Sequence, residues 1–235
     1  MHPLDNPTWT ALTSHQAPIA LADGMARRFP PEMTVHGALA LPMPQAWDSL
    51  ARLTGRSPVC LLSAAALQLP PGWSVTGHVE IFQMVQNDAA AGSSAPAGAS
   101  RGDAPEIIEL KESDVAEMSA LYEATRPGRK MCPRIQKLGT FVGLRTEGKL
   151  VAMGGLRMHV PGFREITTVA TMPGFEGRGY ATALVVDLIK RIRARNDSPF
   201  LTVRVDNTRA VEIYRRLGFQ ERTRLHSTTL TRIPT

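Results

Sequence analysis

A glycine-rich turn between a strand and a helix is the part of the sequence whose residue types most directly suggest chemistry. The β-branched run from Ile166 to Thr171 is typical of a strand, and Pro173 ends it. Three glycines follow at positions 174, 177 and 179, and from Tyr180 onward apolar residues recur at helical spacing. The first amides of a helix have no partner inside it, and the helix dipole adds partial positive charge there. The turn is therefore predicted to bind an anionic group such as phosphate.

Residue spacing excludes two common phosphate-binding loops. A P-loop ends in Gly-Lys-Ser/Thr, which Gly179-Tyr180-Ala181 does not match. A dinucleotide-binding fingerprint requires a final glycine where this chain has Thr182. The first turn of the predicted helix carries no acidic residue, since the first one is Asp187, and it is left free for a ligand.

A third pattern fits the turn better. The stretch from Val169 to Ala181 resembles the pyrophosphate-binding motif of the GNAT superfamily of coenzyme A-dependent N-acetyltransferases, which reads Gln/Arg-x-x-Gly-x-Gly/Ala. Here the motif stands as Glu176-Gly-Arg-Gly179-Tyr-Ala181. Glu176 departs from the family, because a cation or an amide is usual at this position. The resemblance implies that backbone amides supply most of the contact with the pyrophosphate.

A second motif near the C-terminus supports the same resemblance. The stretch from Val203 to Phe219 is similar to the family signature Asn-x-x-Ala-x-x-x-Tyr-x-x-Leu-Gly-Phe, with Asn207, Ala210 and Tyr214 at its marked positions. The two motifs occur in the family's order, with one helix and one strand between them. The chain is accordingly identified as a member of the GNAT superfamily.

The resemblance implies acetyl-CoA as cosubstrate, no metal, and a set of residues that contact the cofactor. A backbone amide of Val169 or Ala170 would polarise the thioester carbonyl, Asn207 would bind the pantetheine arm or cap its helix, and Tyr214 would protonate the departing thiolate. The predicted cofactor-binding residues are Val169, Ala170, Thr171, Glu176, Gly177, Arg178, Gly179, Tyr180, Ala181, Thr182, Asn207, Ala210 and Tyr214.

The general base is the least defined part of the predicted site. An amine nucleophile with a pKa of about 10 must lose a proton before it attacks. Glu165, at the start of the signature strand, matches the glutamate base of histone-type members of the family, and it would act directly or through water. A solvent-facing residue or a salt-bridge partner is the alternative interpretation of Glu165, and His159 is a lesser candidate for the base.

The elements needed to position these residues can be followed through residues 106 to 235. Hydrophobic patterns and turn residues predict the order β-α-α-β-β-β-α-β-α-β, which matches the GNAT order. The fold class is therefore predicted to be α/β (α+β). A mixed, mostly antiparallel, twisted sheet would be flanked by helices, with a smaller N-terminal α/β half-domain.

The N-terminal half carries no recognisable catalytic motif. Its predicted elements are a helix near Asp5 to Leu12, a strand at Val35 to Leu41, a helix at Pro44 to Leu53, and strands at Pro58 to Ser63 and Trp73 to Val85. Together with the motifs above, the arrangement resembles the glycine N-acyltransferase-like branch, in which a degenerate half precedes the catalytic one. The predicted division is a half-domain at 1–86, a flexible Ala/Gly/Ser/Pro linker at 87–105, and a catalytic domain at 106–235.

Composition excludes several classes of protein. The chain has 235 residues, 43% of them hydrophobic, and a formal net charge of +6, which suits an anionic ligand. No zinc, ribonucleoprotein or basic-zipper signature accompanies that charge, so a dedicated nucleic-acid binder is disfavoured. Cys60 and Cys132 lie far apart without metal-ligand spacing, which disfavours a disulfide scaffold or a zinc site. Without a signal sequence or a long apolar run, a cytoplasmic protein with no membrane partner is expected.

The function predicted from the sequence is transfer of an acetyl group from acetyl-CoA to a primary amine of a small molecule, in a ternary complex of a monomer or homodimer. A peptide or protein N-terminus is the less favoured acceptor. Arg126, Arg129 and Lys130 could select an acidic acceptor, although a solvated loop is the favoured interpretation of these residues. The alternative from another class is a non-catalytic acyl-CoA-binding or regulatory module that keeps the fold, which the departure at Glu176 leaves open.

Overall fold

The computed structural model describes residues 2–86 and 106–233, and most of its strands form one eight-stranded sheet. Three short strands, β1 to β3, form a separate small sheet near the N-terminus. The strands are β1 (Leu21–Asp23), β2 (Ala26–Arg28), β3 (Gly37–Leu39), β4 (Val59–Ser63), β5 (Trp73–Gln86), β6 (Ile107–Leu110), β7 (Phe141–Thr146), β8 (Lys149–Val160), β9 (Phe163–Thr171), β10 (Ser198–Arg204) and β11 (Phe219–Arg232).

The helices cover both faces of the large sheet, and several begin with residues suited to capping. Asn6 caps the first helix through Trp9 N, and Asn207 caps the last through Ala210 N. The α-helices are α1 (Pro7–Leu12), α2 (Pro44–Thr54), α3 (Val115–Thr125), α4 (Tyr180–Arg193) and α5 (Thr208–Arg216). Short 3-10 helices are also formed at Ala17–Ile19, Glu112–Asp114 and Ile135–Leu138.

The large sheet has the order β4-β11-β5-β10-β9-β8-β7-β6. Its strands pair antiparallel except β9 and β10, which are parallel. The predicted mostly antiparallel sheet flanked by helices is therefore what the chain forms. The long strand β5 lies between β10 and β11, so the N-terminal half contributes a central strand to the sheet that carries both motifs. The division into 1–86 and 106–235 stays a prediction about folding units.

Two hydrophobic cores lie on opposite faces of this sheet because successive side chains of a strand point to opposite sides. On β10, Phe200 belongs to the core beneath α1 and α3, and Leu201 belongs to the core beneath α4. Both side chains are at most 1% exposed. A third, smaller core packs α2 against the small sheet around Trp47 and Trp73, whose rings lie 5.6 Å apart.

The predicted elements of the C-terminal half are all present within a few residues of the expected bounds. The second helix of that order is a single 3-10 turn, Ile135–Leu138. In the N-terminal half the predicted strand at Val35 to Leu41 is shorter, Gly37–Leu39, and the sequence reading missed β1 and β2. The predicted linker at 87–105 lies outside the described residues. In the two described ranges, none of the helices combines the length and the apolar character needed to cross a bilayer.

The packing of β7 against β8 gives a direct test of the core. A Cβ atom on Gly155 would lie 2.5 Å from the ring of Phe141, which is 1% exposed. We expect Gly155→Ala to lower the free energy of unfolding by about 2 kcal/mol, because the buried ring has no room to move. The matched control is Gly77→Ala, where the new atom would meet Thr229 at an ordinary 3.7 Å. Equal stability of the two variants in urea titrations would contradict this packing.

Candidate active site

Two parallel strands separate at the centre of the sheet. Strands β9 and β10 are paired from Phe163 opposite Ser198 up to Ile166 opposite Leu201. Strand β9 then continues to Thr171 and β10 to Arg204 without pairing to each other. The unpaired ends leave a gap in the sheet beside the glycine-rich turn.

A bulge in β9 turns the backbone at this gap. The register between β8 and β9 shifts between Met153 and Gly155, and opposite them Thr168 adopts a φ of +56°. A β-branched residue rarely adopts a positive φ, and such strain is found most often at functional sites. The bulge directly precedes Val169 and Ala170, whose amides were predicted to face the thioester. The sequence does not mark this position, since no glycine stands there.

The glycine-rich turn leaves helical amides open. Gly174, Gly177 and Gly179 have φ values of 87°, 80° and 81°, and a side chain on 177 or 179 would meet no other atom within 4 Å. The first bond of α4 joins Ala183 N to Gly179 O at 2.9 Å, so the amides of residues 180–182 have no acceptor inside the helix. The first turn carries no acidic residue. These features fit a phosphate group.

A groove of about 1000 Å³ runs from this turn along α5, and we call it the loop groove. It brings together most of the predicted cofactor-binding residues. Those lining it are Val169, Ala170, Thr171, Glu176, Gly177, Gly179, Tyr180, Ala181, Thr182, Asn207 and Ala210.

Arg178 is the member of the predicted turn that is not part of the groove lining. Its guanidinium lies over the ring of Phe175, 4.8 Å from the centroid, and Nη2 donates to Gly174 O at 3.4 Å. The side chain therefore braces the turn. The groove is lined instead by arginines that were not among the predicted residues, including Arg209 and Arg216 on α5. Both arginines lie within the stretch that matches the second motif, and this position is the sequence signal that could have identified them.

Glu176 folds back onto the turn. Its Oε2 accepts a hydrogen bond from Gly174 N at 2.6 Å. Hydrogen bonds from its own amide and that of Gly174 lower the pKa of the Glu176 carboxyl, so the group is ionised at neutral pH. An exposed negative charge therefore stands beside the amides that fit a phosphate.

We expect Glu176→Gln and Glu176→Arg to tighten CoA binding, by about two- to fivefold for the glutamine variant at low salt, because exposed charges interact weakly. Calorimetric titration with CoA checks this. Glu147→Gln, an exposed charge in the turn between β7 and β8 and outside the groove lining, is the matched control. Unchanged affinity in both Glu176 variants would mean that the backbone alone decides binding.

A second cavity of about 590 Å³ adjoins the loop groove, and we call it the seam cavity. One side is formed by β9, β10 and α5, and the other by the N-terminal half, including residues 34–36 and Cys60. The two cavities share lining residues at the gap, among them Val169, Ala170 and Asn207. They therefore form a continuous path past the bulge. The predicted site included no residue of the N-terminal half.

Tyr214 lines the seam cavity, and its ring packs edge-on against Phe219 at 5.9 Å. Burial raises the pKa of Tyr214 to about 12, with the charge of Arg126 acting in the opposite direction. The phenol is consequently protonated at neutral pH and is available as a proton donor. Asn207 caps α5 through Oδ1, which accepts from Ala210 N at 3.2 Å, and it lines both cavities.

Glu165 is buried beneath the seam cavity and is not among its lining residues. Its side chain is 1% exposed and forms a two-pronged ion pair with Arg157, whose Nε and Nη2 lie 2.8 and 2.7 Å from the carboxylate oxygens. Thr202 Oγ1 also donates to Glu165 at 3.4 Å. Arg157 and Thr202 both line the cavity, so the carboxylate acts on it through these two side chains.

His36 completes this network from the N-terminal half. Arg157 Nη1 lies 3.1 Å from Nδ1 of His36, and Thr34 Oγ1 lies 2.9 Å from the same nitrogen. Burial, with a further contribution from Arg157, lowers the pKa of His36 well below its ordinary value. The imidazole is therefore neutral at physiological pH.

His159, the lesser candidate for the base, lies elsewhere. Its Nε2 is 3.1 Å from Asp197 Oδ2, and its ring stacks on His15 at 4.1 Å. Burial, the charge of Arg164 and the neighbouring His15 lower its pKa against the effect of Asp197. It is absent from the lining of both cavities.

Comparisons with known proteins agree with this architecture. A family model described as FR47-like protein matches residues 141–228. A crystal structure from Novosphingobium aromaticivorans, assigned to the GNAT family of acetyltransferases, is 32% identical, covers 100% of both chains and has a TM-score of 0.84. A GCN5-related N-acetyltransferase from Kribbella flavida, at 16% identity and a TM-score of 0.61, shares the fold.

Two curated acetyltransferases match parts of the chain. Mycothiol acetyltransferase of Mycobacterium sp. (strain MCS) is 30% identical over 127 residues, which is 50% of this chain and 42% of that protein. N-alpha-acetyltransferase RimI of Mycobacterium tuberculosis is 36% identical over 83 residues, or 34% of this chain and 51% of that protein. The chain thus spans about half or less of the curated relatives it matches.

Proposed function

The chain belongs to the GNAT family of acetyltransferases, and on that premise we propose that it transfers an acetyl group from acetyl-CoA to a primary amine of a small molecule. The observation that carries the proposal is the continuity of the loop groove with the seam cavity. A groove that fits a phosphate-bearing cofactor leads past a strained bulge to a cavity lined by a protonated tyrosine.

Acetyl-CoA would be held mainly by backbone groups at the start of α4. The amides of residues 180–182 and the helix dipole would take the pyrophosphate, as the open first turn supports. Arg209 and Arg216 would add positive charge along α5. When bound, the cosubstrate supplies the thioester whose acetyl group is transferred.

In the proposed reaction the amine nitrogen bonds to the acetyl carbon, and the bond from that carbon to the CoA sulfur breaks. The amide of Val169 or Ala170, turned by the bulge at Thr168, would donate to the carbonyl oxygen as negative charge develops on it. Tyr214 would give its proton to the departing sulfur. The attacking amine would release its proton to water, and both substrates would be bound together.

Glu165 as the direct base stays a prediction. Its contacts favour a positioning role, because both of its oxygens are engaged by Arg157 and it is missing from the described cavity lining. We propose that Glu165 fixes the guanidinium of Arg157 at the cavity wall and that water accepts the amine proton. The glycine N-acyltransferase-like branch, a monomer or homodimer, and a cytoplasmic location without nucleic-acid or membrane partners also stay predictions.

The alternative function is a non-catalytic acyl-CoA-binding module. The lack of a direct base favours it, since Glu165 is held by Arg157 and is missing from the described cavity lining. The relatives named above are described as a mycothiol acetyltransferase and an N-alpha-acetyltransferase, two different activities, so they do not fix the acceptor here.

The test of the proposal is release of free thiol from acetyl-CoA with a panel of primary amines. We expect amine-dependent thiol release and an acetylated amine among the products. Binding of CoA in calorimetry with no thiol release on any amine would support the binding module instead. Failure to bind CoA would overturn both functions.

A further inference from the structure

We propose that the amine accepted in the seam cavity carries a carboxylate, which Lys130 and Arg129 bind at the cavity rim beside Arg157. The inference rests on the proposed function, because it assigns the substrate class of the same reaction. It places the acceptor among small amino acids and related amino carboxylates.

The lining of the seam cavity is positively charged. Five basic side chains line it, and no aspartate or glutamate of the described residues does. The basic residues are Arg126, Arg129, Lys130, Arg157 and Arg204. A cavity lined by one sign of charge attracts ligands of the other sign and rejects those of its own.

Only part of this positive charge is neutralised inside the protein. Arg157 is paired with Glu165 at 2.7 Å, and Arg204 is paired with Asp206 at 2.5 Å. In the described ranges, Arg126, Arg129 and Lys130 form no ion pair with a carboxylate. The cavity therefore has an excess of cations that a ligand can compensate.

The position of the unpaired cations separates the acceptor from the cosubstrate. Arg126 lies 4.7 Å over the ring of Tyr122 and donates to Val169 O at 3.3 Å, at the gap between the two cavities. Arg126 and Arg129 line both cavities, so CoA phosphates can also reach them. Lys130 lines the seam cavity and not the loop groove. A carboxylate on the acceptor is the group that Lys130 can pair with.

The same charges suit a neutral amine as nucleophile. The imidazole of His36, in contact with Arg157 and on the wall of this cavity, is kept uncharged by burial and by that arginine. An ammonium group entering the cavity meets the same repulsion, which favours its neutral form. A carboxylate on the acceptor offsets that repulsion for the molecule as a whole. The arrangement explains how transfer proceeds although no acidic side chain lines the described cavity.

The walls limit the size of the acceptor. Residues 34–36, 77–79, Cys60 and Leu62 close the side of the cavity opposite α5. A volume of about 590 Å³ lies in the range of small-molecule sites. Such a cavity holds an amino acid next to the reacting end of the cosubstrate.

The experiment compares amines that differ only in the charge of one group. Glycine, L-alanine and L-phenylalanine are tested against glycinamide, L-alaninamide and L-phenylalaninamide, with rates expressed per concentration of neutral amine. We expect kcat/KM to be higher for the carboxylate in at least one pair by about tenfold, the effect of one well-placed charge contact. The preference should shrink as salt rises from low to physiological concentration.

Substitutions of single residues test which side chains cause the preference for a carboxylate over an amide. Lys130→Gln and Arg129→Gln should each reduce the ratio of carboxylate to amide several-fold, toward one, because the two cations hold the same carboxylate together. For Lys130→Gln the Kd of CoA should stay within about twofold of wild type, because the contact is with the acceptor. Lys190→Gln, an exposed lysine of α4 outside both cavities, is the control for loss of net charge.

Measurements of amine binding distinguish failure of the carboxylate preference from failure of the proposed acetyl transfer. Calorimetry of each amine with the CoA-bound protein reports the preference without turnover. Tighter binding of the carboxylates, lost in Lys130→Gln, without thiol release would keep the inference and overturn acetyl transfer. Turnover of acids and amides at equal rates, or an unchanged ratio in both variants, would overturn the inference and leave acetyl transfer standing. No preference in binding or turnover for any pair would also overturn it.

Discussion

Tyr214→Phe should lower kcat about 100- to 1000-fold while leaving the affinity for CoA unchanged, the size of effect expected for loss of a general acid. The substitution keeps the ring that packs against Phe219 and removes only the hydroxyl that lines the seam cavity. Stopped reactions that measure thiol release, together with calorimetric titration of CoA, give the two quantities.

The pH dependence follows from the raised pKa of Tyr214, about 12. A group whose pKa is raised on folding keeps its proton to higher pH in the folded protein. The phenol therefore remains a donor throughout the neutral range, and kcat should show no decline caused by Tyr214 below about pH 10, the ordinary pKa of tyrosine. The related contribution to stability is complete below that pH and is lost as the pH rises toward 12.

Tyr122→Phe is the matched control for this prediction. Tyr122 lines the same cavity, and its ring beneath Arg126 is retained in the variant. We expect its kcat to change by less than about threefold, since no proton transfer is assigned to it. Equal rates for the two tyrosine variants would contradict the role given to Tyr214.

Glu165→Gln should destabilise the protein by about 3 kcal/mol, because removing one partner of a buried ion pair leaves the other charge uncompensated. Arg157 is 11% exposed and Glu165 is 1% exposed, so water reaches neither well. Urea titration measures the loss. Glu112→Gln, which breaks an exposed pair with Lys137, should be indistinguishable from wild type.

A double variant tests the ion pair, and the pH profile of the single variant separates a positioning role of Glu165 from a role as general base. Arg157→Met combined with Glu165→Gln removes both charges, and part of the lost stability should return. For Glu165→Gln alone, a positioning role predicts a raised KM for the acceptor and an unchanged pH profile of kcat. Loss of the acid limb of that profile, with stability retained, would instead make Glu165 the base.

The parts of the fold that the sequence predicted are those with local signals. Gly174, Gly177 and Gly179 mark the turn before α4, and Asn207 marks the start of α5, because these residues meet local backbone requirements. The β-branched run of β9 and the turn residues at Glu147-Gly148 and Pro161-Gly162 likewise marked strands β7 to β9. These elements place most of the predicted cofactor-binding residues in one groove.

The features that were missed depend on contacts distant in sequence. Insertion of β5 between β10 and β11 joins residues far apart along the chain. The alternating pattern of β5 does not indicate which strands it pairs with. His36 is held at the cavity by its bridge to Cys60 on β4, which pairs with β11. The positive φ of Thr168 is imposed by the register of β8 and β9, and nothing in its residue type indicates it. The partner of Glu165, eight positions earlier at Arg157, became evident only from the pairing of these strands.

A single-turnover reaction with an isotope-labelled acetyl group on CoA distinguishes direct acetyl transfer from binding alone. Mass spectrometry then follows the label in the amine, the protein and the remaining CoA. Direct transfer predicts that the label appears in an amine of the panel, in step with release of free thiol, while the protein stays unmodified. Label that remains on tightly bound CoA with every amine would contradict acetyl transfer and identify a binding module.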